Sequence, residues 1–211
     1  MHTAASFIPA GTPTLPELAK AAGGCQGCDL YQHATQTVFG LGPASATVML
    51  VGEQPGDQED RQGKPFVGPA GKVLDDALEA AGINRAETYV TNAVKHFKFV
   101  PAERGPRRIH KTPGATEILA CRPWLLAEMA RVAPKVLVVL GATAGKALLG
   151  STFTVNRSRG RPLDWPANAP AEVAAIRLLA TIHPSAVLRA DDPDAMYEGL
   201  VRDLALVRGL L

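Results

Sequence analysis

Short apolar runs alternate with helical patterns along most of this chain. Four runs are brief and rich in β-branched or aliphatic residues, which predicts buried strands at 47–51, 88–94, 135–140 and 175–181. Between them, apolar residues recur at helical spacing, as in the segment 69–81 and the closing segment 194–210. Alternating strands and helices predict an α/β fold: one domain with a four-stranded parallel sheet sandwiched between helices.

The remaining segments have weaker patterns. Residues 1–13 are small and broken by proline and glycine, so we expect a flexible N-terminus ahead of a domain spanning 14–211. A helix is predicted for 113–131 with an interruption near 121–123, where the sequence reads CRP. The stretch 97–111 is basic and contains two prolines and a glycine, which predicts a long loop rather than a regular element. Long loops in compact domains are usually functional.

Composition supports one sizeable core, because 46% of the 211 residues are hydrophobic. The net charge of +2 is too small to indicate a nucleic-acid partner. Two local basic clusters shift that expectation only modestly. They comprise Lys95, Lys98, Arg104, Arg107, Arg108 and Lys111 in the first, and Arg157, Arg159 and Arg161 in the second.

The sequence favours a cytoplasmic protein. No apolar run approaches the roughly 18 to 20 residues that a membrane span needs, and the first residues, MHTAAS, do not resemble a secretory signal. Three cysteines are an odd number, and a reducing compartment disfavours disulfides. The cysteines are therefore expected to be free thiols or metal ligands.

Polar side chains follow three of the predicted strands. The sequence GEQPG at 52–56 brings Glu53 and Gln54 directly after the first strand. Asn92 and His96 follow in the same way at the second strand, and His183 at the last. Because ligands bind at the carboxyl ends of strands in open α/β sheets, we expect these residues to converge on one site.

Two glycine-rich turns raise the question of nucleotide binding. A phosphate-binding Walker loop needs four residues between its glycines and a hydroxyl residue after the lysine. The turn at 141–147 has one residue too few and ends in Ala147, and the turn at 68–73 fails likewise. No dinucleotide fingerprint follows a strand, so both kinds of nucleotide site are disfavoured.

The cysteine spacing indicates a metal or cluster site. Cys25 and Cys28 form a C-x-x-C motif, which brings two sulfurs within reach of one group. Because the motif follows a predicted helix rather than a strand, metal binding is favoured over thioredoxin-like redox chemistry. Cys121 is the only further sulfur among the cysteines, and the residues alone leave the fourth ligand open between His96 and His33.

Several separated motifs together resemble the iron–sulfur uracil-DNA glycosylases. In order, they are GEQPG at 52–56, Asp60, GKPFVGPAG at 63–71, TNAVK at 91–95 and HPS at 183–185. The sequences VKHFKF at 94–99 and RRIHKTP at 107–113 are similar to the UdgX branch of that group. The resemblance extends from Cys25 to the last helix. One departure is Pro106, which stands where the branch usually has a lysine.

The resemblance implies a cofactor and a partner. It implies a 4Fe-4S cluster held by Cys25, Cys28, His96 and Cys121, with His96 replacing the cysteine of the ordinary glycosylases. The implied partner is uracil-containing DNA, including single-stranded DNA, bound by a monomer without membrane association.

The resemblance also implies individual roles. Phe66 would stack on uracil, Asn92 would hydrogen-bond its amide edge, and His183 would stabilise O2 of the departing base. The other residues implied in substrate binding are Gly52, Asp57, Arg108 and Ser185.

In the UdgX branch, the histidine matching His110 attacks C1′ of the sugar and leaves the protein covalently joined to DNA. Glu53 and Gln54 would position the reacting groups, and the neighbouring cations would favour a neutral, nucleophilic His110. Charge pattern alone instead favours a phosphate contact for His110. Two alternatives remain open: a conventional hydrolytic glycosylase that releases free abasic DNA, and a uracil- or damage-binding module without catalysis.

Overall fold

The computed structural model describes residues 3–211. Its strands are β1 (Val48–Gly52), β2 (Thr88–Asn92), β3 (Phe99–Pro101), β4 (Arg108–His110), β5 (Val136–Leu140), β6 (Pro162–Leu163) and β7 (Arg177–Thr181). Its α-helices are α1 (Leu15–Ala22), α2 (Asp57–Gln62), α3 (Pro69–Ala80), α4 (Ala115–Val132), α5 (Ala142–Leu149), α6 (Val155–Ser158) and α7 (Pro193–Ala205). The predicted α/β fold is confirmed in its mostly parallel central sheet and flanking helices.

The central sheet has five strands rather than the predicted four, in the order β2-β1-β5-β7-β6. Four strands are parallel, while β6 pairs with β7 in the antiparallel direction. The fifth strand is only two residues long and begins with Pro162, so it has no alternating pattern for sequence reasoning to detect. The prediction missed a short edge strand, and the parallel part of the sheet is as expected.

Both faces of the sheet are buried. Every residue of β1, β2 and β5 is buried, which explains why these strands are apolar throughout rather than alternating. Trp124 and Leu125 of α4 belong to the apolar layer on one face. Leu74 of α3 and Leu200 of α7 belong to the layer on the other. Burial on two faces fixes the strand ends in space and thereby the polar residues that follow them.

The segment ahead of α1 was expected to be flexible. Residues Ala4–Phe7 instead form a 3-10 turn, and Ala4 is buried in the same apolar layer as Trp124. Met1 and His2, which also belong to the expected flexible segment, lie outside the described residues. The helix α1 is capped by Thr14, whose side chain accepts a hydrogen bond from the backbone of Glu17 in a capping box.

Two local predictions were wrong. The stretch 97–111 is not an irregular loop, because β3 and β4 form an antiparallel hairpin within it. The helix α4 also runs through Pro123 without ending. A proline inside a helix costs about 3 kcal/mol, and burial of Trp124, Leu125 and Met129 on the same helix offsets that cost.

Among residues 3–211, no helix combines the length and hydropathy needed to cross a bilayer.

Candidate active site

A cavity of about 690 Å³ opens at the carboxyl ends of the parallel strands. Seven of the predicted site residues line it: Glu53, Gln54, Phe66, Asn92, His110, His183 and Ser185. Of the strand-end side chains predicted to converge, Glu53, Gln54, Asn92 and His183 line this cavity, whereas His96 does not. Gly52, Asp57 and Arg108 do not line the cavity, and their positions are described below.

Gly52 lets two side chains of the cavity wall approach the end of β1. It pairs in register with Asn92 at the end of β2. A Cβ atom at Gly52 would lie 2.4 Å from Oδ1 of Asn92 and 2.7 Å from the ring of Phe66. Because Gly52 has no side chain, the Asn92 carboxamide and the Phe66 ring can both lie close to the backbone of Gly52.

Phe66 is held in an unusual backbone conformation. Its φ angle is +56°, a left-handed value that a non-glycine residue seldom adopts. The turn closes against Gly71, where a Cβ atom would lie 1.9 Å from the Phe66 carbonyl oxygen. The Phe66 ring stacks loosely on that of His183, with centroids 6.1 Å apart and planes inclined by 28°. The strained turn thus aims an aromatic face into the cavity.

His183 has a defined tautomer. Its Nδ1 accepts the backbone N–H of Ser185 at 3.2 Å and lies 2.8 Å from the Ser185 hydroxyl. A nitrogen that accepts a backbone N–H carries no hydrogen, so the neutral ring bears its hydrogen on Nε2. Desolvation, with smaller effects from Arg189 and His110, lowers the pKa of His183 to about 4. His183 is therefore a neutral hydrogen-bond donor at pH 7.

Glu53 connects two elements across the cavity. Its Oε2 accepts a hydrogen bond from the hydroxyl of Thr143 in the first turn of α5. Its Oε1 lies 3.3 Å from Nε2 of His110 on β4. The sequence-based expectation was that cations surround His110, whereas the structure places a carboxylate against its ring.

Gln54 fastens the hairpin that carries His110. Its Nε2 donates to the carbonyl oxygens of Lys98 at 3.2 Å and Lys111 at 3.0 Å, and its Oε1 accepts the N–H of Lys98 at 2.9 Å. Lys98 and Lys111 are themselves joined by a backbone hydrogen bond just outside the ends of β3 and β4. The buried Gln54 carboxamide therefore holds together the two backbone segments at the open end of the β3–β4 hairpin.

Arg108 anchors the same hairpin from the other side. Its guanidinium donates to the carboxylates of Asp57 and Asp60. It also lies over the rings of Phe97 and Phe99, at 5.2 and 4.9 Å from their centroids. Although desolvation acts in the opposite direction, hydrogen bonds from Arg61 and Arg108 lower the pKa of Asp57. Asp57 and Arg108 thus pair with each other, and their predicted contact with substrate stays a prediction.

Sequence reasoning missed two residues of the site. Thr143 was considered only as part of a failed Walker loop, although it follows a strand end as the other site residues do. Glu59 was not singled out. Its carboxylate accepts the backbone N–H groups of Gly56 at 3.0 Å and Gly68 at 2.8 Å, which joins the two glycine-containing turns of the cavity. The Gly56 contact is the local cap of α2, whereas the contacts of Glu59 with Gly68 and of Thr143 with Glu53 become visible only in the structure.

The three cysteines lie on the sheet face covered by α4 and make a candidate second site. Cys25 and Cys121 are buried and Cys28 is half-buried. Burial raises the pKa of Cys28, and it raises that of Cys121 to about 12, with smaller contributions from the other two thiols. The backbone N–H of Lys95 donates to Sγ of Cys121 at 3.3 Å. Three neighbouring thiols with an N–H···S contact suit an iron–sulfur group.

Of the two histidines left open by the sequence, His96 is the buried one, whereas His33 is exposed. His96 directly follows Lys95, which contacts Cys121. Burial lowers the pKa of His96, so its imidazole is neutral and able to act as a ligand. Across residues 3–211, no three His, Cys, Asp or Glu side chains are grouped closely enough for one metal ion. The donor types, three thiols and an imidazole, are ones that iron–sulfur groups accept.

Comparison with known proteins gives a consistent result. The family model described as the uracil DNA glycosylase superfamily matches residues 39–205. The chain is 36% identical to a type-4 uracil-DNA glycosylase of Thermotoga maritima, over 78% of each chain. It is 32% identical to a type-4 uracil-DNA glycosylase of Pyrobaculum aerophilum, over 88% of each. These matches span the strands and turns that build the cavity, and the chain belongs to the uracil-DNA glycosylase superfamily.

Proposed function

We propose that this chain excises uracil from DNA and becomes covalently joined through His110 to C1′ of the resulting abasic site, as a UdgX-type member of its family. One observation carries the covalent part of the proposal. His110 lines the cavity from the β3–β4 hairpin, and Oε1 of Glu53 lies 3.3 Å from its Nε2. The excision part is supported by the type-4 uracil-DNA glycosylases to which the chain is similar.

Recognition of the base would use the wall formed around Gly52. A uracil flipped into the cavity can stack on Phe66 while its amide edge meets Asn92. Among the described residues, the Asn92 carboxamide makes no hydrogen bond to protein, so its donor and its acceptor are both available. Cytosine presents the opposite donor pattern on that edge and would leave these groups mismatched.

Departure of the base would depend on His183. As the bond between N1 and C1′ breaks, its electron pair leaves with uracil and negative charge grows on O2. The neutral His183 ring carries its hydrogen on Nε2 and can donate a hydrogen bond to that oxygen. Charge that appears only as the bond breaks is stabilised selectively in the transition state.

The covalent step would then join His110 to the sugar. The ring nitrogen that carries the lone pair bonds to C1′, which lost its bonding electron pair to uracil when the base departed. The positive charge gained by the imidazole is stabilised by Glu53, and transfer of the remaining ring proton to that carboxylate leaves a neutral N-alkyl imidazole. Because Gln54 and Arg108 hold the hairpin, the attacking ring is fixed before substrate arrives.

The second site would hold a 4Fe-4S cluster through Cys25, Cys28, His96 and Cys121. The cluster would supply a rigid link between these residues and the capacity to exchange one electron. His96 follows Asn92 closely in the chain, so a cluster bound to His96 would also restrain the position of Asn92. Iron and sulfide analysis after anaerobic purification tests this assignment, and zinc without iron would contradict it.

The decisive experiment mixes the protein with single-stranded DNA containing one uracil. We expect a protein–DNA product that survives hot denaturing electrophoresis and disappears in His110→Ala. Free abasic DNA as the only product would instead support the hydrolytic alternative. Uracil bound without release of the base would indicate the non-catalytic module. The proposal further includes a monomer that acts in the cytoplasm and accepts single strands.

A further inference from the structure

Thr37 connects two proposed cluster ligands, Cys25 and His96, through hydrogen bonds. Its hydroxyl oxygen is 2.9 Å from the carbonyl oxygen of Ala22, at the end of α1, and 2.8 Å from Nε2 of His96. The same carbonyl accepts the backbone N–H of Cys25 at 3.0 Å. A continuous set of hydrogen bonds therefore links one proposed ligand, Cys25, with another, His96.

The direction of each hydrogen bond follows from the chemistry of the groups. A carbonyl oxygen only accepts, so the single hydrogen of the Thr37 hydroxyl is donated to Ala22. Towards His96 the hydroxyl oxygen can then only accept, which requires the hydrogen of the imidazole to be on Nε2. In a neutral imidazole the free lone pair is consequently on Nδ1.

We propose that Thr37 is a positioning residue that fixes the tautomer of His96, so that His96 binds the cluster through Nδ1. This inference rests on the proposed cluster and adds to it the identity of the ligating atom and of its partner. Histidine ligands usually donate their second ring N–H to an oxygen, which fixes the ring orientation and strengthens the ligand. Thr37 supplies such an oxygen here, and the Ala22 carbonyl fixes the hydroxyl.

The first test reads the ligating nitrogen directly in the wild-type protein. Two samples are prepared, one with histidine labelled with nitrogen-15 at Nδ1 and one labelled at Nε2. After reduction of the cluster, pulsed electron paramagnetic resonance is expected to show a strong coupling to the label at Nδ1 only. Strong coupling at Nε2 only, or at neither nitrogen, would overturn the inference. Because the protein is unaltered, folding defects do not affect this result.

The second test compares variants at Thr37 in cluster stability, measured as the rate of cluster absorbance loss in the presence of an iron chelator. Thr37→Val keeps the shape but removes both hydrogen bonds, and cluster loss about tenfold faster is expected from the usual effect of such partners. Thr37→Ser, which keeps the hydroxyl, should remain within about twofold of the wild type. Thr152→Val, at an exposed threonine, is the matched control.

The outcomes separate this inference from the proposal on which it rests. Wild-type protein without iron would refute the cluster and, with it, the role of Thr37. Iron bound in the wild type, with Thr37→Val as stable as the control, would refute the role of Thr37 alone. Faster loss in Thr37→Val together with Nδ1 coupling in the wild type would support it.

Discussion

Oε1 of Glu53 lies 3.3 Å from Nε2 of His110, although Glu53 follows a strand of the central sheet and His110 belongs to the separate β3–β4 hairpin. Glu53 follows the end of β1, and its other oxygen is held by Thr143. His110 ends β4 on a hairpin fastened by Gln54. A carboxylate fixed beside an imidazole in this way can stabilise positive charge on the ring.

Glu53→Gln should slow covalent adduct formation, because the amide keeps the size of the side chain but removes its negative charge. A positioned acid or base contributes at least about 10²-fold to rate, and we expect a loss of that size. Single-turnover gel assays with uracil-containing single strands measure it. An adduct rate equal to that of the wild type would show that Glu53 does not assist His110.

Gln54→Ala should loosen the hairpin without unfolding the protein. It removes three hydrogen bonds to the backbone of Lys98 and Lys111, each worth about 1 kcal/mol. Amide hydrogen exchange across 98–111 should accelerate, and adduct formation should fall with it. Gln62→Ala, at an exposed glutamine that ends α2, is the control and should change neither measurement. Unchanged exchange in Gln54→Ala would contradict this role.

Gly52→Ala should abolish uracil recognition while the sheet remains folded. The new methyl group would lie 2.4 Å from Oδ1 of Asn92, so the carboxamide and the Phe66 ring must move. We expect a loss of uracil excision of at least about 10²-fold, as displacement of reacting groups by about 1 Å can cause. Gly209→Ala, where a Cβ atom meets no atom within 4 Å, is the control. Near-normal excision in Gly52→Ala would disprove the close approach.

His183 should make folding stability depend on acid. In the unfolded chain its imidazole takes up a proton near 6.5, whereas in the folded protein its pKa is about 4. Between these values the unfolded state binds more protons, so the contribution of His183 to stability is lost as the pH falls from about 6.5 to 4. His183→Gln should therefore lose less stability than the wild type over that range. Urea denaturation at successive pH values measures the difference, and identical slopes would contradict the prediction.

Lys95→Met should strongly destabilise the fold. The ammonium group of Lys95 pairs with Glu128, and their side chains are 1% and 0% exposed. Removing one partner leaves a buried, uncompensated charge, which costs about 3–5 kcal/mol. Chemical denaturation should show this loss. A loss below about 1 kcal/mol would indicate that the pair is not buried in solution.

Much of the architecture was predictable from local pattern. The four parallel strands are short apolar runs. A continuous apolar run is the sequence pattern expected of a strand that is buried on both faces. The strand-end positions of Glu53, Asn92 and His183 were predicted to converge, because parallel strands end at one edge. The hairpin of β3 and β4 was not predictable in this way, since its three-residue strands depend on Gln54 and Arg108 for support.

The sequence by itself determined the parallel sheet, the glycine turns after its strands, and which polar residue types stand at the strand ends. These features follow from periodicity and backbone conformation, which act between near neighbours in the chain. Only the tertiary structure decided that Thr143 holds Glu53, that Glu59 joins two turns, and that Thr37 contacts His96. The contacts of Thr143 with Glu53 and of Thr37 with His96 join residues far apart in sequence, and a hydrogen bond leaves no periodic trace in either segment. The chemistry of each side chain was visible in the sequence, but its partner was selected by packing.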